Sequence, residues 1–184
     1  MCAENTMTIR LMTIGDYETA LALWTVGGRM EQTAQCRPAR ADDAEAVLAL
    51  VRRTVEEVYP RYYPQGVADF FLLHHSGESI MRDIAAGNVR VIEIGGRIVG
   101  TGSRDGNHIT RVYVLPEFHG RGIGSRLMDA LEAEIAREHG TALTDSSLPA
   151  ALFYERRGYR TVRHETQPCE SGAVLVYEVM EKSL

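Results

Sequence analysis

Two periods of hydrophobic and polar positions alternate along this chain. Between residues 42 and 58, Val47, Leu48, Val51, Val55 and Val58 recur at the spacing of one helical face and predict an amphipathic helix. A short strand at 36–38 precedes it, and Asp42 and Glu45 stand at capping-box spacing at its start. The segment YPRYYPQGVADFF follows, where prolines break the pattern and predict a loop leading into a helix. Tyr59, Tyr62 and Tyr63 flank those prolines and are expected to be partly exposed, whereas Phe70, Phe71 and Leu72 suit the packing of a short helix. A second helical stretch covers 77–86.

The period then changes to two. VRVIEI, Gly95-Gly96 and RIVGTGSR read as a hairpin, and Asp105-Gly106 as a second turn into HITRVYVL at 108–115. Pro116 ends that strand. HGRGIGSRLMDALEAEIAREHG runs from a glycine loop into a long helix, with Ile123, Leu127, Leu131 and Ile135 as its buried stripe and Gly140 at its C-terminal end. TALTD predicts a short strand, and SSLPAALFYERRG a short helix with Ser147 or Ser146 as N-cap. YRTVRHETQ and AVLVYEVME are two terminal strands able to pair with each other. The order β-α-α-β-β-β-α-β-α-β-β is an α/β layout with a largely antiparallel sheet flanked by helices.

An internal repeat adds to this picture. RLMTIGDYETALALW at 10–24 and RPARADDAEAVLALV at 37–51 match at a constant offset of 27, through Arg10/Arg37, Asp16/Asp43, Glu18/Glu45 and Leu21-Ala22-Leu23/Leu48-Ala49-Leu50. Acidic first turns and Ala/Leu faces are also common to unrelated helix starts, so duplication and coincidence both stay open. On this reading 34–184 form one domain and 1–33 an N-terminal extension, a partial repeat of the domain's first strand and helix if the match is a duplication. Composition narrows the class. The net charge of −5 argues against binding nucleic acid through general charge. Cys2, Cys36 and Cys169 form no CxxC pair, which leaves metal ribbons unsupported and fits a reducing cytoplasm. The N-terminus lacks the pattern of a signal peptide, and no apolar run approaches the roughly 20 residues that span a bilayer.

The candidate chemistry sits at the join of strand and helix at 108–125. Gly120, Gly122 and Gly124 remove side chains where the backbone must come close to a ligand, and the helix start offers unpaired N–H groups to an anion. Arg121 adds a charge-assisted contact. No Gly-Lys-Ser/Thr follows, so this is not a P-loop. A dinucleotide fingerprint needs a parallel βαβ setting that the hairpin strand does not supply.

ITRVYVLPEFHGRGIGSRLM, followed by ALFYERRGY, resembles the GNAT N-acetyltransferase superfamily, with its strand, [Q/R]xxGx[G/A] loop, helix and later (F/L)YEK-x-GF helix end. The resemblance covers about residues 36–184 and implies a GNAT-like mixed sheet and acyl transfer from acetyl-CoA, with no metal. It implies that Val112, Tyr113 and Val114 pair their backbone with the pantetheine arm. It implies that His119, Gly120, Arg121, Gly122, Ile123, Gly124 and Ser125 hold the pyrophosphate, and that Tyr154 stands beside the thioester sulfur. Family members often carry an asparagine where Ser147 stands, and Gln or Arg where His119 stands; both are departures. A phenol, protonated at neutral pH, suits a general acid to the departing thiolate, which favours Tyr154.

The base is left open among Asp145, His108, His74, His75, Glu117 and a water chain. In GNAT proteins the region between the first two helices lines the acceptor side, which here implicates Tyr59, Tyr62 and Tyr63. Glu56, Glu57 and Asp69 add negative charge there and favour a cationic amine, such as a polyamine, an aminoglycoside or a peptide amine. A non-catalytic acyl-CoA sensor of the same fold, and an anion-binding protein without CoA, are the alternatives. The final hairpin offers a surface for a homodimer.

Overall fold

The computed structural model describes residues 34–184. The first repeat copy and the extension at 1–33 therefore lie outside the described residues. The chain folds as β1 (Gln35–Pro38), α1 (Ala44–Val58), α2 (Gln65–His74), α3 (Gly77–Ala85), β2 (Val89–Ile94), β3 (Arg97–Asp105), β4 (His108–Val114), α4 (Ile123–Ile135), β5 (Thr141–Ser147), α5 (Ala151–Arg156), β6 (Arg160–Pro168) and β7 (Val174–Ser183). The seven strands form one sheet in the order β1-β2-β3-β4-β5-β7-β6. Every neighbouring pair is antiparallel except β4–β5, which is parallel.

The helices lie on opposite faces of this sheet. Val47, Val51 and Val55 of α1, Val67 of α2 and Ile80 of α3 are fully buried against Val91 and Val99. On the other face Met128, Leu131 and Ile135 of α4 meet Ala142, Met180, Tyr154 and Tyr159. The apolar stripe expected of the long helix is thus the buried one.

Several local expectations are corrected. The 59–71 segment is a 3-10 turn at Tyr59–Arg61 followed by a separate helix, α2, so among the described residues three α-helices rather than two precede β2. The capping pair lies two residues earlier than Asp42 and Glu45 imply: Asp43 accepts from the Arg40 N–H at 2.7 Å. The long helix stops at Ile135, and Gly140 is not among the left-handed glycines. Neither Ser146 nor Ser147 caps α5. Both are buried in β5, which runs past TALTD to Ser147 because β7 pairs with it over its whole length, and Ala150 takes the cap position without a side-chain bond.

One irregularity decides which side chains face which way. Ser103 opposes Arg111 while Arg104 opposes Ile109, so Thr110 is an extra residue in β4, a bulge in which its hydroxyl meets that of Ser103 at 2.9 Å. Ile109 therefore points into the α4 face, whereas Arg111 and Tyr113 point to the α1 face. Without the bulge, strict alternation would put all three on one side.

Candidate active site

The parallel pair β4–β5 is short. It holds at His108–Leu143 and Ile109–Thr144 and then ends, while β5 continues beside β7 to Ser147. The two strands diverge into a fork whose arms are Arg111–Val114 and Asp145–Ser147. In an antiparallel ladder alternate residues turn their N–H and C=O to opposite edges. Leu115 donates to Val99 of β3 at 2.9 Å, so Tyr113 also faces β3 and Val112 and Val114 face the fork. Of the three residues expected to pair their backbone with a ligand, Val112 and Val114 turn theirs to the fork, where the Val114 carbonyl already accepts from the Thr54 hydroxyl at 3.3 Å and from His119; the Tyr113 backbone is taken by β3.

The glycine loop lies at the open end of this fork. Gly122 is the N-cap of α4 at φ 75°, a left-handed conformation that a side chain would strain. Gly124 serves packing: a Cβ there would come within 3.3 Å of the Phe153 ring of α5. Arg126 closes the first helical bond, to the Gly122 carbonyl, so the preceding N–H groups of the first turn have no acceptor within the helix. Arg121 stacks its guanidinium over Phe118 at 5.1 Å. The His119 ring turns back to the strand, where its Nε2–H donates to the Val114 carbonyl at 2.8 Å.

Tyr154 sits on the same face, near the closed end of the fork. It is buried, edge-on to Phe153 and Tyr159, with the Thr144 hydroxyl at its side. Burial pushes its phenol up to about 12, partly offset by Thr144. Arg157 ties its helix to the glycine loop: it donates to the Ser125 carbonyl at 3.3 Å and pairs with Asp129 and Glu132 of α4. Lys182 joins Glu132 at 2.7 Å. Arg157 stands in the ERRG stretch, but nothing in sequence points to the buried Glu132 it meets.

The α1 face of the fork is different. Tyr59 and Tyr63 are buried, not partly exposed, because the 3-10 turn swings them inward; only Tyr62 of the three is exposed. The Tyr59 hydroxyl lies 3.2 Å from that of Tyr113 on β4 and 3.3 Å from that of Ser147 on β5, spanning both arms. Tyr63 accepts from the Leu148 N–H at 2.7 Å and donates to the Val176 carbonyl at 3.1 Å, pinning the end of β5 to β7.

Below them Arg111, almost wholly buried, pairs with Asp83 at 2.8 Å and donates Nε–H to Nδ1 of His75 at 3.4 Å. Burial, then Arg111, holds His75 down at about 3, so it stays neutral with its proton on Nε2 and Nδ1 occupied. That removes His75 as a base. Glu117 is held ionised near 2 by its own backbone N–H and by Arg53 and Arg97, and lies on the exposed turn after β4.

Asp145 is the first residue of β5 past the closed end of the fork. It alternates with Thr144 and so points to the α1 face, opposite Tyr154, with His108 Nε2 at 3.5 Å. Two of the acidic residues expected to attract a cation are already satisfied: Glu57 pairs with Arg53 at 2.7 Å, and Asp69 accepts from Gln65 at 2.8 Å. Among the described residues no group of three or more metal-ligating side chains occurs, and no helix is long and apolar enough to cross a membrane.

A family model described as an acetyltransferase (GNAT) domain matches residues 58–182, the stretch that contains the fork, the loop and Tyr154. The chain belongs to the GNAT acetyltransferase family. A curated member, the uncharacterized N-acetyltransferase YafP of Escherichia coli K12, is 27% identical over 139 residues, 75% of this chain and 89% of its own length. A solved GCN5-related N-acetyltransferase from Rhodopseudomonas palustris superposes with TM-score 0.75 at 28% identity, over 83% of this chain and 96% of its own. PaiA N-acetyltransferase from Thermoplasma acidophilum, solved with coenzyme A, shares the fold at TM-score 0.65 and 15% identity, over 82% and 99% of the two chains.

Proposed function

We propose that this GNAT protein transfers an acetyl group from acetyl-CoA to a primary amine. The single observation that carries the reading is the fork with the glycine loop at its open end and Tyr154 near its closed end, all on one face. The pyrophosphate rests on the N–H groups of Gly120–Ser125, where the helix dipole favours negative charge. The pantetheine arm lies along Val112 and Val114, whose edge N–H groups also stand ready for the oxyanion of the tetrahedral intermediate. His119 gives up the Val114 carbonyl to the arm as it binds.

The acceptor's ammonium group meets Asp145 at the closed end of the fork, beside the part that Tyr59 spans, and gives up its proton to water there; the neutral amine then attacks the thioester carbon. As the C–S bond breaks, the Tyr154 proton passes to the thiolate. Burial keeps that phenol protonated throughout the neutral range. The bound coenzyme A of PaiA and the bound acetyl-CoA of a putative acetyltransferase from Salmonella typhimurium support the choice of donor.

The test is calorimetry with acetyl-CoA, followed by a free-thiol assay over spermidine, an aminoglycoside and a lysine peptide. Saturation at 100 times Kd should add about 2.7 kcal/mol to stability. No binding overturns the reading, and binding without transfer to any amine leaves the acyl-CoA sensor in its place.

A further inference from the structure

We propose that Tyr59 is the stop that sets the length of the acyl chain, by closing the far mouth of the β4–β5 fork. This inference rests on the acyl-CoA reading above. The glycine loop and Tyr154 both lie on the α4 face, so a thioester reaching inward from the loop directs its acyl end through the fork toward the α1 face. There the Tyr59 hydroxyl lies across the opening, 3.2 Å from the Tyr113 hydroxyl on one arm and 3.3 Å from Ser147 Oγ on the other. All three residues are buried.

The phenol has little room to swing away. Phe71 packs edge-on at 4.7 Å and Tyr63 lies tilted at 5.9 Å. The backbone of Tyr59 caps α1 and accepts from the N–H groups of both Tyr62 and Tyr63 at 2.9 Å. Pushing Tyr59 aside breaks two buried hydrogen bonds and strands the hydroxyls of Tyr113 and Ser147 away from water. A two-carbon acyl group does not require that movement, whereas a chain several methylenes longer does. The wall it meets is also a row of hydroxyls, a poor match for apolar carbon.

The experiment measures dissociation constants of the full chain for CoA, acetyl-CoA and hexanoyl-CoA by calorimetry, in wild type, Tyr59→Val and Ser147→Ala. Wild type is expected to bind hexanoyl-CoA at least about tenfold more weakly than acetyl-CoA, the discrimination a close-fitting pocket gives. Tyr59→Val should remove most of that difference and leave the affinity for CoA itself unchanged. Ser147→Ala, which keeps the ring but frees one end of the bridge, should shrink the difference less.

Equal wild-type affinity for the two thioesters overturns the proposal, as does a Tyr59→Val variant that weakens all three ligands alike. Should Tyr59→Val fail to fold by circular dichroism, an unaltered ratio in Ser147→Ala overturns it. Failure of wild type to bind CoA at all is a separate outcome: it removes the acyl-CoA reading and the stop together.

Discussion

The two faces of the fork are built from different parts. On the α4 side the polar groups that line it are backbone: the edge N–H groups of Val112 and Val114 and the first turn of α4 after Gly122. On the α1 side they are side-chain hydroxyls, from Tyr59, Tyr113 and Ser147, with the Arg111–Asp83 pair and His75 packed below. Backbone donors suit a part that all substrates of a family share, because they read charge and extended shape and little else. Side chains suit a part that must discriminate, because one substitution changes size and polarity at one point. The α4 side is therefore expected to govern donor binding and thiolate release, and the α1 side to govern stability and selectivity.

The largest effect tests the support of the α1 side. Asp83→Ala leaves the Arg111 guanidinium buried without its carboxylate, and urea unfolding should show a loss of about 3 kcal/mol. A loss below about 1 kcal/mol would mean that water reaches Arg111. Next, Tyr154→Phe should lower kcat by about tenfold or more, with the dissociation constant of acetyl-CoA unchanged. Equal turnover at every pH removes Tyr154 from the reaction.

The third effect is a pH slope. His75 is depressed from 6.5 to about 3 in the fold, so its contribution to stability is whole above pH 6.5 and is lost as pH falls toward 3. Replacing it with Gln should flatten the stability–pH curve in that window by up to about 1.4 kcal/mol per pH unit. Identical slopes would show that the imidazole is not buried neutral. Fourth, Asp145→Asn should raise KM for spermidine and leave the affinity for acetyl-CoA alone. Smallest of all is Glu57→Gln: its carboxylate already serves Arg53, so KM for spermidine should not move. A Glu57 effect larger than that of Asp145 would put the acceptor on the outside of α1 instead of over the fork.

Legibility in the sequence followed the same division. The glycine loop and the FYERRG helix end are each contiguous, so the two motifs and their spacing carried the family. Tyr59 meets partners 54 and 88 positions away, and Arg111 reaches Asp83 across 28. No local pattern encodes such pairings. Prolines around Tyr59 and Tyr63 suggested an exposed loop, yet the turn they form aims both rings into the core. Ser147 looked like a cap for the following helix because serine before a short helix usually is one; pairing with β7 kept it in the strand.

The sequence by itself determined the strands and their order along the chain, the buried stripe of α4 and the turn that needs Gly122, because these depend on periodicity and on local backbone conformation. The tertiary structure alone decided that a bulge at Thr110 turns Arg111 and Tyr113 away from the α4 face, that β4 and β5 part after two residue pairs, and that Tyr59 spans the opening between them. Those features depend on register and on which distant strand lies alongside, and packing settles both only once the whole sheet has formed.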